Sequence, residues 1–417
     1  MSSLIFINRF AWPDHSATSQ LLSDLAAGLA ERGLRVVLIA SRLRYDDEAA
    51  RLAPFETWRG VAIERIATTG FGRGNLLGRA LDYLSFYLSL SWRLWRQLER
   101  GDVVVAKTDP PLIGLVVAAV ARLRGAVFVQ WLQDVFPEVA VELGQPRLPR
   151  ALVAVLGWLR DLSLGAAAIN VVIGDRMAAT LRGRGVAADR LRVIPNWAHE
   201  DVIEPRPANQ SRLRAALGLG EHFVVGYSGN LGRAHDTDAL FDAARRLAAE
   251  PKIAFLVIGA GYGYRALQAR CQQAGLQNIH FLPYQPRASL ADAMAASDLH
   301  LVSLAPALEG LIVPSKFYGI AAAARPIGFI GSADGELGQL ISRHQCGFTV
   351  PWADGLALAS EIQAAAADPA RGLVQGQNAF ALLGHEYSRA LAHARWHDLI
   401  TSLSKSSAAA PAARTGS

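Results

Sequence analysis

Cysteine is nearly absent from this 417-residue chain: Cys271 and Cys346 are its only two. Two such residues build neither a disulfide framework nor a zinc-ligand cluster, and a reducing compartment suits them. Lysine is scarce as well. Only Lys107, Lys252, Lys316 and Lys405 stand among 42 basic residues, so arginine carries the net charge of +6. That mildly basic balance suits an anionic ligand or an anionic membrane face. The clustered basic patch with stacking aromatics that marks a nucleic-acid binder is missing, and no nucleic-acid partner is expected. No Walker loop, Ser-His-Asp arrangement or metal-ligand cluster occurs, so no metal is expected. Pro110 to Ala121 is uncharged but too short to cross a bilayer. The start, Met-Ser-Ser and then Leu4–Asn8, lacks the basic opening and cleavage site of a signal peptide, so a cytoplasmic location is expected.

What is present is apolar and regular. At 51% hydrophobic residues the chain can bury two cores, and its length suits two domains. Strand-like runs at Leu4–Asn8, Val36–Ala40, Val61–Ile66, Asp102–Ala106, Ala126–Leu132, Ala168–Ile173 and Leu191–Ile194 alternate with helical segments. The pattern pauses at Pro205-Arg206-Pro207, which reads as a linker. It restarts at Phe223–Tyr227, Ile253–Ile258, Ile279–Leu282, Leu299–Ser303, Pro326–Ile330 and Gly347–Val350. Strands joined by helical crossovers form parallel sheets covered on both faces. The expected fold is therefore α/β: two Rossmann-like parallel-sheet domains facing a cleft. Residues 1–203 form the first and 204–385 the second. A C-terminal helix, 386–403, returns to the first domain, and 404–417 is a disordered tail.

Three segments of the first half, Leu76 to Leu98, Pro110 to Ala121 and Arg150 to Leu164, are more apolar than a soluble domain requires. Leu76 to Leu98 interleaves leucines, Phe86, Trp92 and Trp95 with Arg79, Arg93 and Arg96, and Arg150 to Leu164 repeats the mixture around Trp158. Aromatics and arginines on an apolar helix are what an interfacial helix uses to lie on lipid. Burial between sheet and neighbouring helices is the plainer alternative. Contact with the surface of a membrane, without spanning it, is expected.

The candidate chemistry sits at strand ends. In Pro306–Pro326 a loop glutamate, Glu309, precedes a helix expected to open at Pro314, with Lys316 in its first turn. A helix N-terminus already carries roughly half a positive charge and prefers acids. A lysine there makes sense if an anion such as phosphate binds between the two positive sources. Gly226–Asp236 joins a strand to a helix, with Gly229, Asn230, Arg233 and His235 placed to meet an anion. Gly259 and Gly261 end another strand, and Tyr284 follows a third. In parallel sheets such ends open on one crevice. In the first half His15 and Ser16 lie between the first strand and its helix, where Ser16 is either a helix cap or a ligand contact. Thr108-Asp109 and Asp134 with Glu138 follow two further strands.

Together, Trp12-Pro13-Asp14-His15-Ser16-Ala17-Thr18-Ser19-Gln20, Thr108-Asp109-Pro110-Pro111, Gln133-Asp134, Pro195-Asn196-Trp197, Tyr227–His235 and Glu309–Lys316 resemble a known family. From Ile5 to about Leu399 the chain resembles the GT-B glycosyltransferases of family four, in particular the WbuB-type sugar transferases of bacterial surface-polysaccharide assembly. The resemblance implies a nucleotide-sugar, usually UDP-linked, on the second domain and an acceptor on the first. It implies that Glu309 contacts the donor sugar. The family usually has a second glutamate seven residues on, at the ribose; here that position is Lys316. The family's arginine and lysine in the glycine loop are Asn230 and His235 here. Lys316 and Arg233 are the candidates to replace those cations.

The expected catalytic set is thus Glu309, Lys316, Arg233 and Asp134. The donor side comprises Ser16, Gly229, Asn230, His235, Gly259, Gly261, Tyr284, Gly310, Leu311, Ile312 and Val313, and the acceptor side His15, Thr108, Asp109 and Glu138. The resemblance further implies retention of configuration without a cofactor and N-acetyl-L-fucosamine as the transferred sugar, while the membrane-leaning first domain suggests a polyprenyl-diphosphate-linked acceptor. Protein placement would be peripheral, on the inner face of the cytoplasmic membrane. A nucleotide-sugar epimerase, a non-catalytic assembly protein at the membrane and a nicotinamide-dependent enzyme are the alternatives, since fold alone does not choose among them.

Overall fold

The computed structural model describes residues 2–14, 16–44, 50–72, 76–144, 149–198 and 203–409. It divides into two compact units, Met1–Pro195 with Ala392–Ser417, and Asn196–Leu391.

The first unit runs β1 (Leu4–Ile7), α1 (Ala17–Glu31), β2 (Val36–Ser41), β3 (Phe55–Trp58), β4 (Val61–Ile66), α2 (Leu76–Gln97) and β5 (Val103–Ala106). It continues with α3 (Ile113–Arg124), β6 (Val127–Trp131), α4 (Glu138–Glu142), α5 (Arg150–Ala166), β7 (Ile169–Val172), α6 (Asp175–Gly183) and β8 (Leu191–Val193). The eight strands lie in the order β3-β4-β2-β1-β5-β6-β7-β8. Every pairing is parallel except β3 with β4, a hairpin at the edge. Right-handed crossovers place α2, α3 and α5 on one face and α1 on the other. On the first face Ile5, Ile7, Val104 and Ala106 pack with Phe86, Leu90, Leu94 and Val117. Phe6 meets Trp396 edge-on, with ring centroids 6.4 Å apart.

The second unit runs α7 (Arg212–Ala216), β9 (Phe223–Asn230), α8 (Asp238–Arg246), β10 (Ile253–Ala260), α9 (Tyr262–Gln273), β11 (Ile279–Leu282), α10 (Leu290–Ala295) and β12 (Leu299–Ser303). Then come α11 (Lys316–Ala322), β13 (Ile327–Ile330), α12 (Glu336–His344), β14 (Gly347–Val350), α13 (Gly355–Ala367) and α14 (Pro369–Glu386), before α15 (Arg389–Ala409) crosses to the first unit. Its six strands, ordered β11-β10-β9-β12-β13-β14, are all parallel.

Three expected boundaries shift. The first join falls after Pro195 rather than 203, because Asn196 and Trp197 are buried with the second unit, where the Tyr318 hydroxyl hydrogen-bonds the Asn196 backbone. The Pro205–Pro207 stretch is no linker: the Arg325 guanidinium donates to the Arg206 carbonyl at 2.6 Å and to the Ala295 carbonyl at 3.1 Å. The returning segment starts at Ala392 rather than 386, and its helix runs to Ala409, so residues 404–409 are helical rather than tail.

Candidate active site

The second unit gathers its glycine loops by close backbone approach. Gly229 and Gly259 are register partners at the ends of β9 and β10. A Cβ on Gly259, whose φ is +144°, would lie 2.0 Å from the Gly229 carbonyl oxygen. Gly261, φ +126°, leaves the same kind of room for the Asn230 side chain and the Leu231 carbonyl. These glycines let two strand ends touch, so that the Gly229–Asn230 turn is held from below.

Lys316 lies over that turn. A Cβ on Gly229 would come within 3.0 Å of Lys316 Cε. The ammonium sits 3.1 Å from His235 Nε2 and 5.2 Å from the centroid of the Tyr227 ring. His235 Nδ1 is 2.9 Å from the Ser303 carbonyl oxygen, which can only accept, so Nδ1 carries the proton and Nε2 accepts from Lys316. Burial, and then the Lys316 charge, push His235 down to about 4, which keeps the imidazole neutral. Burial alone lowers Lys316 to about 8. The result is a half-buried cation whose partners are a neutral imidazole and a π-face. Among the described residues no carboxylate lies within ion-pair distance of it. Such a group favours an incoming anion.

Glu309 is presented by a type II turn. The Leu311 amide donates to the Leu308 carbonyl at 3.0 Å, Glu309 has φ −59° and ψ 132°, and Gly310 has φ +72°. Its Oε2 accepts from the Glu336 amide at 3.2 Å, at the N-terminus of α12. Gly335 makes room for the carboxylate, since a Cβ there would lie 2.2 Å from Oε1. Leu311 is buried, while Ile312 and Val313 are half-buried in the same loop. Arg233 is exposed and lies over the Tyr262 ring at 4.4 Å. Tyr284 is exposed, and its charge state is felt by Tyr227. The expected helix start at Pro314 is corrected: α11 begins at Lys316 itself, after Ser315.

In the first unit a pocket opens beyond β5 and β6, lined among others by Thr108, Leu112, Gln130, Asp134, Arg160 and Ser163. The side chain of Thr108 hydrogen-bonds Asp134, and burial raises the Asp134 carboxyl despite that bond and the Lys107 charge. Lys107 is 1% exposed; its ammonium donates to the Thr18 carbonyl at 3.0 Å and stands 3.9 Å over the Trp131 ring. Burial lowers it to about 7, against the nearby charges of Asp134 and Asp109.

Two expected ligand contacts have other tasks. Ser16 caps α1: its Oγ accepts from the Ser19 amide at 3.3 Å and lies 2.6 Å from Ser19 Oγ. Glu138 is clasped by Arg160 through two bonds, at 2.7 and 3.1 Å, and by Arg184 at 2.6 Å. Burial would raise its carboxyl, but those guanidiniums lower it on balance. Ser16 and Glu138 are therefore explained by the fold. His15 lies outside the described residues. Sequence reasoning passed over Lys107, whose scarcity and place after β5 were the available signal, and Tyr227 and Ser303, for which no local signal exists.

Known proteins resemble this chain in sequence and in fold. Residues 18–197 match the glycosyl transferase 4-like domain, and residues 222–368 match glycosyl transferases group 1. WbjE of Pseudomonas aeruginosa, assigned as a glycosyltransferase, is 28% identical over 69% of this chain and 72% of its own length. WcaI of Escherichia coli, assigned to colanic acid biosynthesis as a glycosyl transferase, is 30% identical over 61% of this chain and 63% of its own. HepE of Anabaena, solved with UDP-glucose, superposes with a TM-score of 0.70 at 17% identity, covering 96% of this chain and all of that one. The chain belongs to the glycosyltransferases of GT-B fold and family-four type, and is a transferase.

Proposed function

We propose that this glycosyltransferase moves a sugar from a UDP-sugar to a polyprenyl-diphosphate-linked acceptor in the synthesis of a bacterial surface polysaccharide, working peripherally at the inner face of the cytoplasmic membrane. The relative assigned to colanic acid biosynthesis and the UDP-glucose complex of HepE support the pathway and the nucleotide. N-acetyl-L-fucosamine is the sugar that the WbuB-type resemblance implies. The observation that carries the reading is Lys316, a half-buried cation over the Gly229–Asn230 turn with only neutral partners.

Breaking a sugar–phosphate bond leaves negative charge on the departing diphosphate, and fixed positive potential there is the largest help a protein can give. Lys316 supplies it from over the Gly229–Asn230 turn and Arg233 from the exposed rim. Glu309, steadied on the Glu336 amide, faces the donor sugar. The departing phosphate takes the acceptor proton, so configuration is retained and no protein nucleophile is used. In this reading the two cations, Lys316 and Arg233, stand in for a metal at the departing diphosphate. Asp134, with Thr108, holds the acceptor hydroxyl; Lys107 and Asp109 contribute through their charges.

The test is incubation of the protein with UDP-sugars and a synthetic polyprenyl-diphosphate sugar, with mass spectrometry of the lipid. A sugar-extended lipid and free UDP are expected, with loss of both in Lys316→Ala. Donor converted to an epimer without acceptor, or no turnover of any UDP-sugar by folded protein, would contradict it.

A further inference from the structure

The outward side of the α2–α3–α5 layer is apolar in a way that the core does not explain. On α2, Phe86, Leu90 and Leu94 are buried against the sheet. Leu77, Leu81, Leu84, Leu88, Trp92 and Trp95 are exposed, at spacings of three and four that form one stripe on the opposite side. Trp92 is 65% exposed and Leu77 is 77% exposed. On α5 the exposed stripe is Leu152, Val155, Trp158 and Leu162, and on α3 it includes Leu123. Contiguous exposed apolar surface of this kind marks an interaction site rather than scattered surface leucines.

Charge identifies the occupant. At or just beyond the C-terminal ends of α2 and α3 stand Arg96, Arg100, Arg122 and Arg124, with Glu99 the one exposed acid among them. Arg96 lies over the Trp92 ring at 5.7 Å and Arg124 over the Trp95 ring at 5.5 Å, while Arg124 Nε also donates to the Leu98 carbonyl at 2.9 Å. Leucines for the acyl boundary, tryptophans for the headgroup level and arginines for lipid phosphate are the composition of an interfacial surface. No helix among the described residues is long and apolar enough to cross a membrane.

We propose that this layer docks flat on an anionic lipid bilayer, with Trp92, Trp95 and Trp158 at the headgroup level and the arginine cluster against lipid phosphates. The proposal gives the peripheral location above a specific footprint and rests on that reading for its biological purpose. The acceptor pocket is built from the same layer. Its wall includes Gly114 of α3 and Arg160 and Ser163 of α5, and the Tyr87 hydroxyl of α2 donates to the carbonyl of Pro111, which also lines it. A lipid-linked sugar bound there would keep its chain beside the docked face.

The experiment is sedimentation of the full chain with vesicles of phosphatidylcholine alone and with ~30 mol% phosphatidylglycerol, at low and high salt, alongside tryptophan fluorescence. Binding to the anionic vesicles with a blue-shifted emission is expected, weakened by salt. The triple change Trp92→Ser, Trp95→Ser, Trp158→Ser should weaken it by about tenfold or more, and Arg96→Glu with Arg122→Glu should abolish the preference for anionic lipid. Every position is exposed, so circular dichroism should be unchanged. UDP titration should also be unchanged, which separates this test from that of the transferase reading. Wild-type binding no better than the triple variant would overturn the proposal. So would a soluble wild-type dimer that the same substitutions convert to monomer, since the face would then be covered by a second copy.

Discussion

Lys316 is cationic below about pH 8 and neutral above it, because burial disfavours its charge. The affinity for a diphosphate should therefore be full below that pH and fall as pH rises through it. In steady-state kinetics donor kcat/KM, which reports the free enzyme, should drop above pH ~8. Lys316→Arg, whose guanidinium stays charged, should remove that limb; a limb unchanged in the variant would assign it elsewhere. Gly259 makes a second residue-scale prediction. Its φ of +144° and the Gly229 carbonyl in its Cβ position make Gly259→Ala a strain and a clash at once, costing about 2–4 kcal/mol in denaturant titrations. Much of this site is legible in the chain's own residues. An odd lysine beyond β12 and two glycine-bearing strand ends point to an anion site. Its inner layer is not legible there, because Tyr227, Ser303 and Gly335 act through tertiary proximity that no local spacing encodes. Ser16 and Glu138 show the converse: residues of functional type whose hydrogen bonds serve a helix cap and an arginine clasp.

The α/β alternation sets out the elements well because fully buried parallel strands read as short apolar runs. β3 escapes because its exposed edge residues, Phe55 to Trp58, carry no such run. α15 shows what an element at the chain's end contributes. Trp396 is fully buried, 4.8 Å from Trp131 and 6.4 Å from Phe6 between ring centroids, and His393 Nε2 lies 3.2 Å from Asp24 Oδ2. Gly28 of α1 admits that histidine, since a Cβ there would meet its ring at 2.1 Å. Trp396→Ala should cost the first unit about 3–5 kcal/mol. The measurement is differential scanning calorimetry of the whole chain. A transition assigned to the first unit should move down, and one assigned to the second should stay.

At the scale of the molecule, each unit carries its own parallel sheet and its own candidate chemistry. Expected boundaries at 203 and 386 miss by a few residues because the joining peptides are packed rather than loose. Asn196 and Trp197 are buried, and Arg206 is tied down by Arg325. The nucleotide belongs to the second unit in this account, and its affinity hangs on one half-buried lysine. The most direct measurement is calorimetric titration of UDP into the full chain and into Lys316→Ala. The account predicts wild-type binding that the substitution weakens by about tenfold or more, roughly 1.4 kcal/mol. Equal affinity in the two proteins would contradict it, and so would no binding by folded wild type.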